Sequence, residues 1–235
     1  MDFENYPFPP IQEAVLDIFA TLPVEVELEA LSAFGNSVAK SFPHRKPRYK
    51  FSSKIRFNPE DSSQSSSDGT TTQTGWIYRT HQKERAVQAR LDGFSYNRLP
   101  IYEGWKKFSD EARAHWNIYR EFAAPQFVTS IGLRYINRVL IPMPFRDFRE
   151  YCLLFPDFPR GIPTALSEFM MRLVGPSSKS EGPTSAVIVT FQPPNPGKAV
   201  LPLILDVQVT QPFSALPARN DDRIWSTFEL LRNEK

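Results

Sequence analysis

Basic side chains at alternate positions are the clearest chemical signal in this chain. Residues 48–57 read RYKFSSKIRF, and successive side chains of an extended strand point to opposite faces. One face then carries Arg48, Lys50, Lys54 and Arg56, and the other carries Tyr49, Phe51, Ile55 and Phe57. The pattern predicts a strand with one face that can join a core and a basic, open opposite face, which is a candidate surface for an anion because Lys and Arg pair with phosphate and carboxylate groups.

Three more arginines fall at alternate positions of two further predicted strands: Arg90, Arg134 and Arg138. Arg binds phosphate bidentately and aromatic rings stack on bases, so this surface predicts a platform for an anionic ligand. Two alternatives stay open. The face could simply be a charged sheet surface in contact with water. The arginines could also pair internally with carboxylates, for which the candidates are Asp92, Glu168 and Asp206.

Carboxylates on the same strands allow an enzymatic hypothesis. Four of them could hold Mg²⁺ while Arg90, Arg134 and Arg138 clamp phosphates: Glu13, Asp17, Asp92 and Asp206. This arrangement is similar to the triphosphate-tunnel class of metal-dependent phosphohydrolases, but that class opens with an E-x-E-x-K strand, which EAVLD at 13–17 does not match. The chain has no P-loop, GxGxxG, HExxH or CxxC motif. We therefore predict no catalytic residue, metal site or cofactor, and favour a non-enzymatic binding or regulatory protein for a nucleic acid or an acidic protein.

The composition is that of a folded protein without a charged tail. The 235 residues are 41% hydrophobic and carry a net charge of +2, so any strong field must come from local clusters such as residues 40–56, which contain seven Lys or Arg and no acid. The single Cys152 excludes an internal disulfide. The acidic, proline-rich N-terminus has no signal-peptide pattern, and no apolar stretch approaches the roughly 20 residues of a membrane span. A cytoplasmic location is expected.

Hydrophobic periodicity predicts the elements that position these side chains. Strands are expected at 13–20, 48–57, 75–82, 86–99, 127–141, 167–174, 185–192 and 201–210, and helices at 28–42, 102–123, 145–155 and from Asp221 onward. The polar segment 59–74 is predicted to be a mobile loop.

This order reads strand, helix, three strands, helix, and then repeats. We predict an α+β fold: a curved, mostly antiparallel sheet with helices on one face, packed as one unit from halves at 1–124 and 125–235. Duplication and chance explain the repeat equally well. Unpaired edge strands make a homodimer an expected assembly.

Four segments resemble a sporadically distributed bacterial family of uncharacterised function: PFPPIQEAVLDI, RLDGFSYNRLPIYEGWKKF, SIGLRYINRVLIP and LPLILDVQV. Its members share an N-terminal PPIxEA motif and a central GLRYINR motif. The resemblance implies no activity, and it points to the motif positions Pro10, Glu13, Arg134, Asn137 and Arg138 as the first candidates for function. Family members continue past the last helix with a further apolar segment, so the C-terminus is expected to be incomplete.

Overall fold

The computed structural model describes residues 9–56, 66–155, 168–176, 182–191, 197 and 199–234, with the backbone alone at 53–56 and 66–68. The elements in these ranges are β1 Ile11–Thr21, α1 Leu28–Val38, β2 His44–Arg56, β3 Ser66–Arg79, β4 Arg85–Arg90, β5 Gly93–Arg98, α2 Trp105–Ala123, β6 Phe127–Pro142, β7 Phe169–Pro176, β8 Thr184–Phe191, β9 Val200–Pro217 and α3 Asp221–Asn233. The α+β class is confirmed. None of the described helices is long and apolar enough to cross a membrane.

All nine strands of the described ranges form one antiparallel sheet in the order β2-β3-β4-β5-β1-β6-β9-β8-β7. The first strands of the two predicted halves, β1 and β6, pair with each other at its centre. Each also pairs with the last strand of its own half, β5 or β9. Four strands follow α1 in the first half, whereas three follow β6 in the second. The duplication therefore stays a prediction.

The three helices cover one face of this sheet, as predicted. Apolar side chains from β1, β4, β5 and β6 form one buried cluster with the helices, including Leu16, Phe94, Leu133, Trp116 and Phe228. Burying this apolar surface is the main favourable term in folding. We call this side of the sheet the helix-covered face, and the opposite side the open face.

The predicted strand 86–99 is wrong, because the structure has two strands joined by a turn at Leu91–Asp92. The turn changes which side chains share a face. Phe94 and Tyr96 lie buried in the core, whereas a single continuous strand would place both on the same face as Arg90. Gly93 has φ +139°, and a Cβ there would lie 2.1 Å from the Ile18 carbonyl oxygen, so only glycine permits this approach of β5 to β1.

Two further predictions need correction. The helix expected at 145–155 is a single 3-10 turn at Phe148–Glu150, capped by a hydrogen bond from the Arg149 N–H to the Asp147 carboxylate. Phe148 packs into a separate apolar cluster with β6, β8 and β9. The loop expected at 59–74 is a strand from Ser66 onward, because its Ser and Thr residues pair with β2 along the whole of that strand's second half. Residues 59–65 lie outside the described ranges.

Candidate functional site

The outer end of the β2–β3 hairpin extends beyond the rest of the sheet. β4 pairs only with Gly75–Arg79 of β3, whereas β2 pairs with β3 as far as Ser66. Tyr49–Arg56 and Ser66–Gln73 thus pair only with each other in the described sheet. We call this two-stranded segment the arm. At about 3.3 Å per residue, its eight residues of β2 span roughly 26 Å.

A register shift marks the base of the arm. Arg48 faces Gly75, but the next residue, Tyr49, faces Gln73, so Thr74 is the extra residue of a β-bulge. Gly75 has φ +157°, and a Cβ there would lie 2.2 Å from the Ala89 carbonyl oxygen. Arg48 donates a hydrogen bond from Nη1 to Thr74 Oγ1 at 2.8 Å. The bulge, the glycine and this hydrogen bond fix the direction in which the arm leaves the sheet.

The predicted basic residues of β2 lie on the open side of the arm. Arg48 shares the register row of Gly75 and Arg90, so its side chain belongs to the open face, and Lys50 follows at the alternate position. Lys50 is exposed. Among the described residues no ion pair involves Arg48 or Lys50. The backbone positions of Lys54 and Arg56 continue the same alternation.

The apolar side of β2 does not join the core, which corrects the prediction. Tyr49 and Phe51 are 58% and 69% exposed. Helix α1 covers the base of the hairpin, where Trp76 Nε1 and Tyr78 Oη donate hydrogen bonds to the carbonyls of Leu28 and Leu31. No described helix or third strand accompanies the arm beyond that point. Alternation predicted the two faces, but burial depends on where the neighbouring elements end.

Arg90 lies in a different environment near the centre of the same open face. Its side chain is 4% exposed, and its Nη1 lies 3.1 Å from Asp17 Oδ1 and 2.7 Å from Ser95 Oγ. Ser95 also donates a short hydrogen bond to Asp17, and Arg90 Nε lies 3.1 Å from Asp92. Arg90 is therefore neutralised within the sheet rather than available to an external anion.

Arg134 is paired internally as well. It donates hydrogen bonds from Nε and Nη2 to the two oxygens of Asp206, at 2.8 and 2.5 Å. The hydrogen bonds to Asp206, with smaller contributions from the charges of Glu13 and Asp17, raise the pKa of Arg134. Pairing of Arg134 with Asp206 was one of the open alternatives, and the structure shows that pairing.

The remaining carboxylate of the phosphohydrolase hypothesis binds an amide. Asn97 Nδ2 donates to Glu13 Oε1 at 2.6 Å, and Gln88 donates to Asn97 at 3.2 Å. Within the described part of the chain, no group of three or more His, Cys, Asp or Glu side chains is placed to hold a metal ion. Asp17, Asp92 and Asp206 each contact an arginine instead. This geometry does not support the phosphohydrolase alternative.

The two motif segments meet at the central β1–β6 seam. The Arg138 backbone N–H donates to the Pro10 carbonyl at 2.8 Å, and Asn137 Nδ2 donates to the Leu205 carbonyl at 3.2 Å. The Arg138 side chain is exposed. However, the pairing register places Arg138 beside the start of β1, while the arm leaves the sheet near the row of Arg90 and Phe19. Arg138 and the arm therefore do not form one site.

Ser95 and Asn97 belong to the polar network of the open face, and the sequence analysis did not identify them. Both are almost completely buried. The dipeptide Asp92-Gly93 is the signal that could have found them, since Asp-Gly between two β segments favours a hairpin turn. A turn there moves Ser95 and Asn97, instead of Phe94 and Tyr96, onto the face of Arg90.

No family model matches this chain, and no curated protein matches it.

Proposed function

We propose that this chain is a non-enzymatic binding or regulatory protein that binds a nucleic acid through the basic side of the arm. The supporting observation is that Lys50 on the arm is exposed and forms no ion pair among the described residues, whereas Arg90 and Arg134 are paired. A two-stranded ribbon is about 5 Å from strand to strand and fits against a phosphate backbone or into a groove.

The charge distribution favours a polyanion over a single phosphate group. Lys50, Lys54 and Arg56 follow one another along a roughly 26 Å arm, and only Asp68 opposes them on β3. Cations spread along a line match the regular phosphates of a nucleic acid, and contacts to phosphates carry no sequence information. The proposed binding is therefore electrostatic and depends weakly on sequence.

Fluorescence anisotropy with labelled single- and double-stranded DNA and RNA tests this proposal. We expect binding at low salt that falls steeply as salt increases and that polyphosphate displaces. Lys50→Glu/Lys54→Glu should weaken binding at least tenfold. The matched control is Lys106→Glu/Lys107→Glu, which changes the net charge equally on exposed positions of α2.

Failure of every nucleic acid to bind at low salt would contradict the proposal. Equal weakening by the two double variants would also contradict it, because the effect would then reflect net charge rather than the arm. Retained binding to a polyglutamate peptide, with no binding to nucleic acid, would identify an acidic protein as the partner instead.

We further propose a cytoplasmic location, which the single cysteine supports.

We also propose that the chain forms a homodimer through β7. This outermost strand exposes Met170, Leu173 and Val174, whereas the opposite edge strand β2 carries Lys, Arg and Pro47, which discourage edge pairing. Sedimentation analysis should show a dimer that Leu173→Lys/Val174→Lys converts to a monomer. A wild-type monomer at micromolar concentration would contradict the dimer.

A further inference from the structure

The second side of the arm carries aromatic rings that the proposed phosphate contacts do not use. Tyr49 and Phe51 occupy alternate positions of β2, so both point to the side opposite Lys50. Each is more than half exposed, although both residue types usually bury their rings in a protein of this size. Their Cα atoms are about 7 Å apart along the strand. The arm thus presents two neighbouring rings with nothing described in contact above them.

The Phe51 ring is held in place by a glycine on the partner strand. A Cβ at Gly69 would lie 3.0 Å from Phe51 Cε2 and 3.1 Å from Cζ, so the ring packs directly against the Gly69 backbone. Gly69 itself is exposed. One side of the Phe51 ring is therefore fixed on the arm while the other side faces solvent, which is the geometry of a stacking surface.

A fixed cation lies further along the same side of β2. The Arg45 guanidinium carbon is 3.4 Å from the centroid of the Trp76 ring, and the Trp76 indole is held by its hydrogen bond to the Leu28 carbonyl at 3.3 Å. Arg45 is exposed. A guanidinium stacked on an aromatic ring keeps its N–H groups directed outward, where they can bind a phosphate.

We infer that the arm binds single-stranded nucleic acid, with bases stacked on Tyr49 and Phe51 and a phosphate bound by Arg45. The inference rests on the proposed function and names its ligand class. From Arg45 to Phe51 the strand rises about 20 Å, a length that suits a few nucleotides. Bases of a single strand offer free π-faces to such rings, whereas those of a duplex are already stacked on one another. β2 is the outermost strand, so the flexible Lys50 stem can reach a phosphate at its uncovered edge.

An oligonucleotide with phosphates but no bases provides the sharpest test. Wild-type protein should bind labelled dT12 roughly a hundredfold more tightly than an abasic 12-mer of equal charge, about tenfold for each of the two rings. Tyr49→Leu/Phe51→Leu should lose roughly tenfold in dT12 affinity for each ring removed and bind both oligomers equally. The abasic oligomer should bind wild type and this variant alike, and the salt dependence should not change, since no cation is removed.

Two controls separate loss of stacking from loss of structure. Both positions are more than half exposed, so the thermal melting temperature of Tyr49→Leu/Phe51→Leu should match that of the wild type. Tyr151→Leu removes a partly exposed ring elsewhere on the molecule and should leave dT12 affinity unchanged. Tighter binding of U12 than of dT12 would support the inference and identify RNA as the ligand.

The outcomes distinguish this inference from the proposed function. Equal wild-type affinity for dT12 and the abasic 12-mer would overturn stacking while leaving the electrostatic proposal intact. A preference for duplex DNA that Tyr49→Leu/Phe51→Leu does not change would overturn it in the same way. No binding to any of these oligonucleotides would instead overturn the proposed function, and the stacking inference with it.

Discussion

Basic residues on the open face of the sheet are buried and ion-paired at Arg90 but exposed on the arm. Arg90 is 4% exposed and contacts Asp17 and Asp92. Lys50 is exposed, and no ion pair joins it to a described residue. Both lie on one side of one sheet. The neighbouring strands account for the difference, because β5 and β1 bring Ser95 and Asp17 to Arg90, whereas the arm has a single partner strand.

This contrast distinguishes basic residues that stabilise the sheet through ion pairs from basic residues that are available to bind a ligand. A cation surrounded by other strands must be neutralised, since an unpaired charge in a shielded site costs several kcal/mol. A cation on an isolated ribbon remains solvated at no such cost. An alternating basic strand therefore predicts a binding surface only where the sheet does not supply acids beside it.

The largest effect is expected when Arg90 is replaced. Arg90→Leu leaves Asp17 without its cation in a largely shielded position, and we expect a loss of about 3–5 kcal/mol in the free energy of unfolding. Urea denaturation measures this loss. In the double variant Asp17→Leu/Arg90→Leu only Asp92, which is 54% exposed and solvated, loses its cation, so its cost should be well below the sum of the two single variants. Additive costs would show that the pair is not a coupled unit.

A smaller effect is expected at Arg134. Its side chain is 39% exposed, whereas that of Asp206 is 10% exposed, so water can partly replace the lost guanidinium. Arg134→Met should lower the free energy of unfolding by about 1–3 kcal/mol, again measured with urea. A loss as large as that of Arg90→Leu would contradict the smaller contribution expected from the greater exposure of Arg134.

Particular residues show how far the sequence could predict this arrangement. Alternation located β2 and its two faces, and the stripe of Trp105, Phe108 and Trp116 located α2, because both patterns are local. The exposure of Phe51 was not predictable, since it depends on the end of β4, a strand that is not adjacent to β2 in the chain or the sheet. Arg90 and Asp17 are 73 residues apart, and only the strand order brings them together.

Removing positive charges from the arm should change the stability of the protein much less than removing Arg90. Replacing exposed Lys50 and its neighbour Lys54 by Gln removes no described ion pair, so the free energy of unfolding should change by no more than about 0.5 kcal/mol. The same double variant should bind nucleic acid less tightly. The two regions would then differ in both readouts, with stability changing at the centre and binding changing on the arm.

The salt dependence of binding tests the central claim most directly. For wild type, Lys50→Gln/Lys54→Gln and the α2 control Lys106→Gln/Lys107→Gln, the logarithm of the association constant for dT12 is plotted against the logarithm of salt concentration. Each lost phosphate contact to a single strand lowers the slope by about 0.7. The account predicts a slope about 1.4 units shallower for the arm variant and no change for the control. Equal slopes for all three proteins would contradict the claim that the arm's cations bind phosphate.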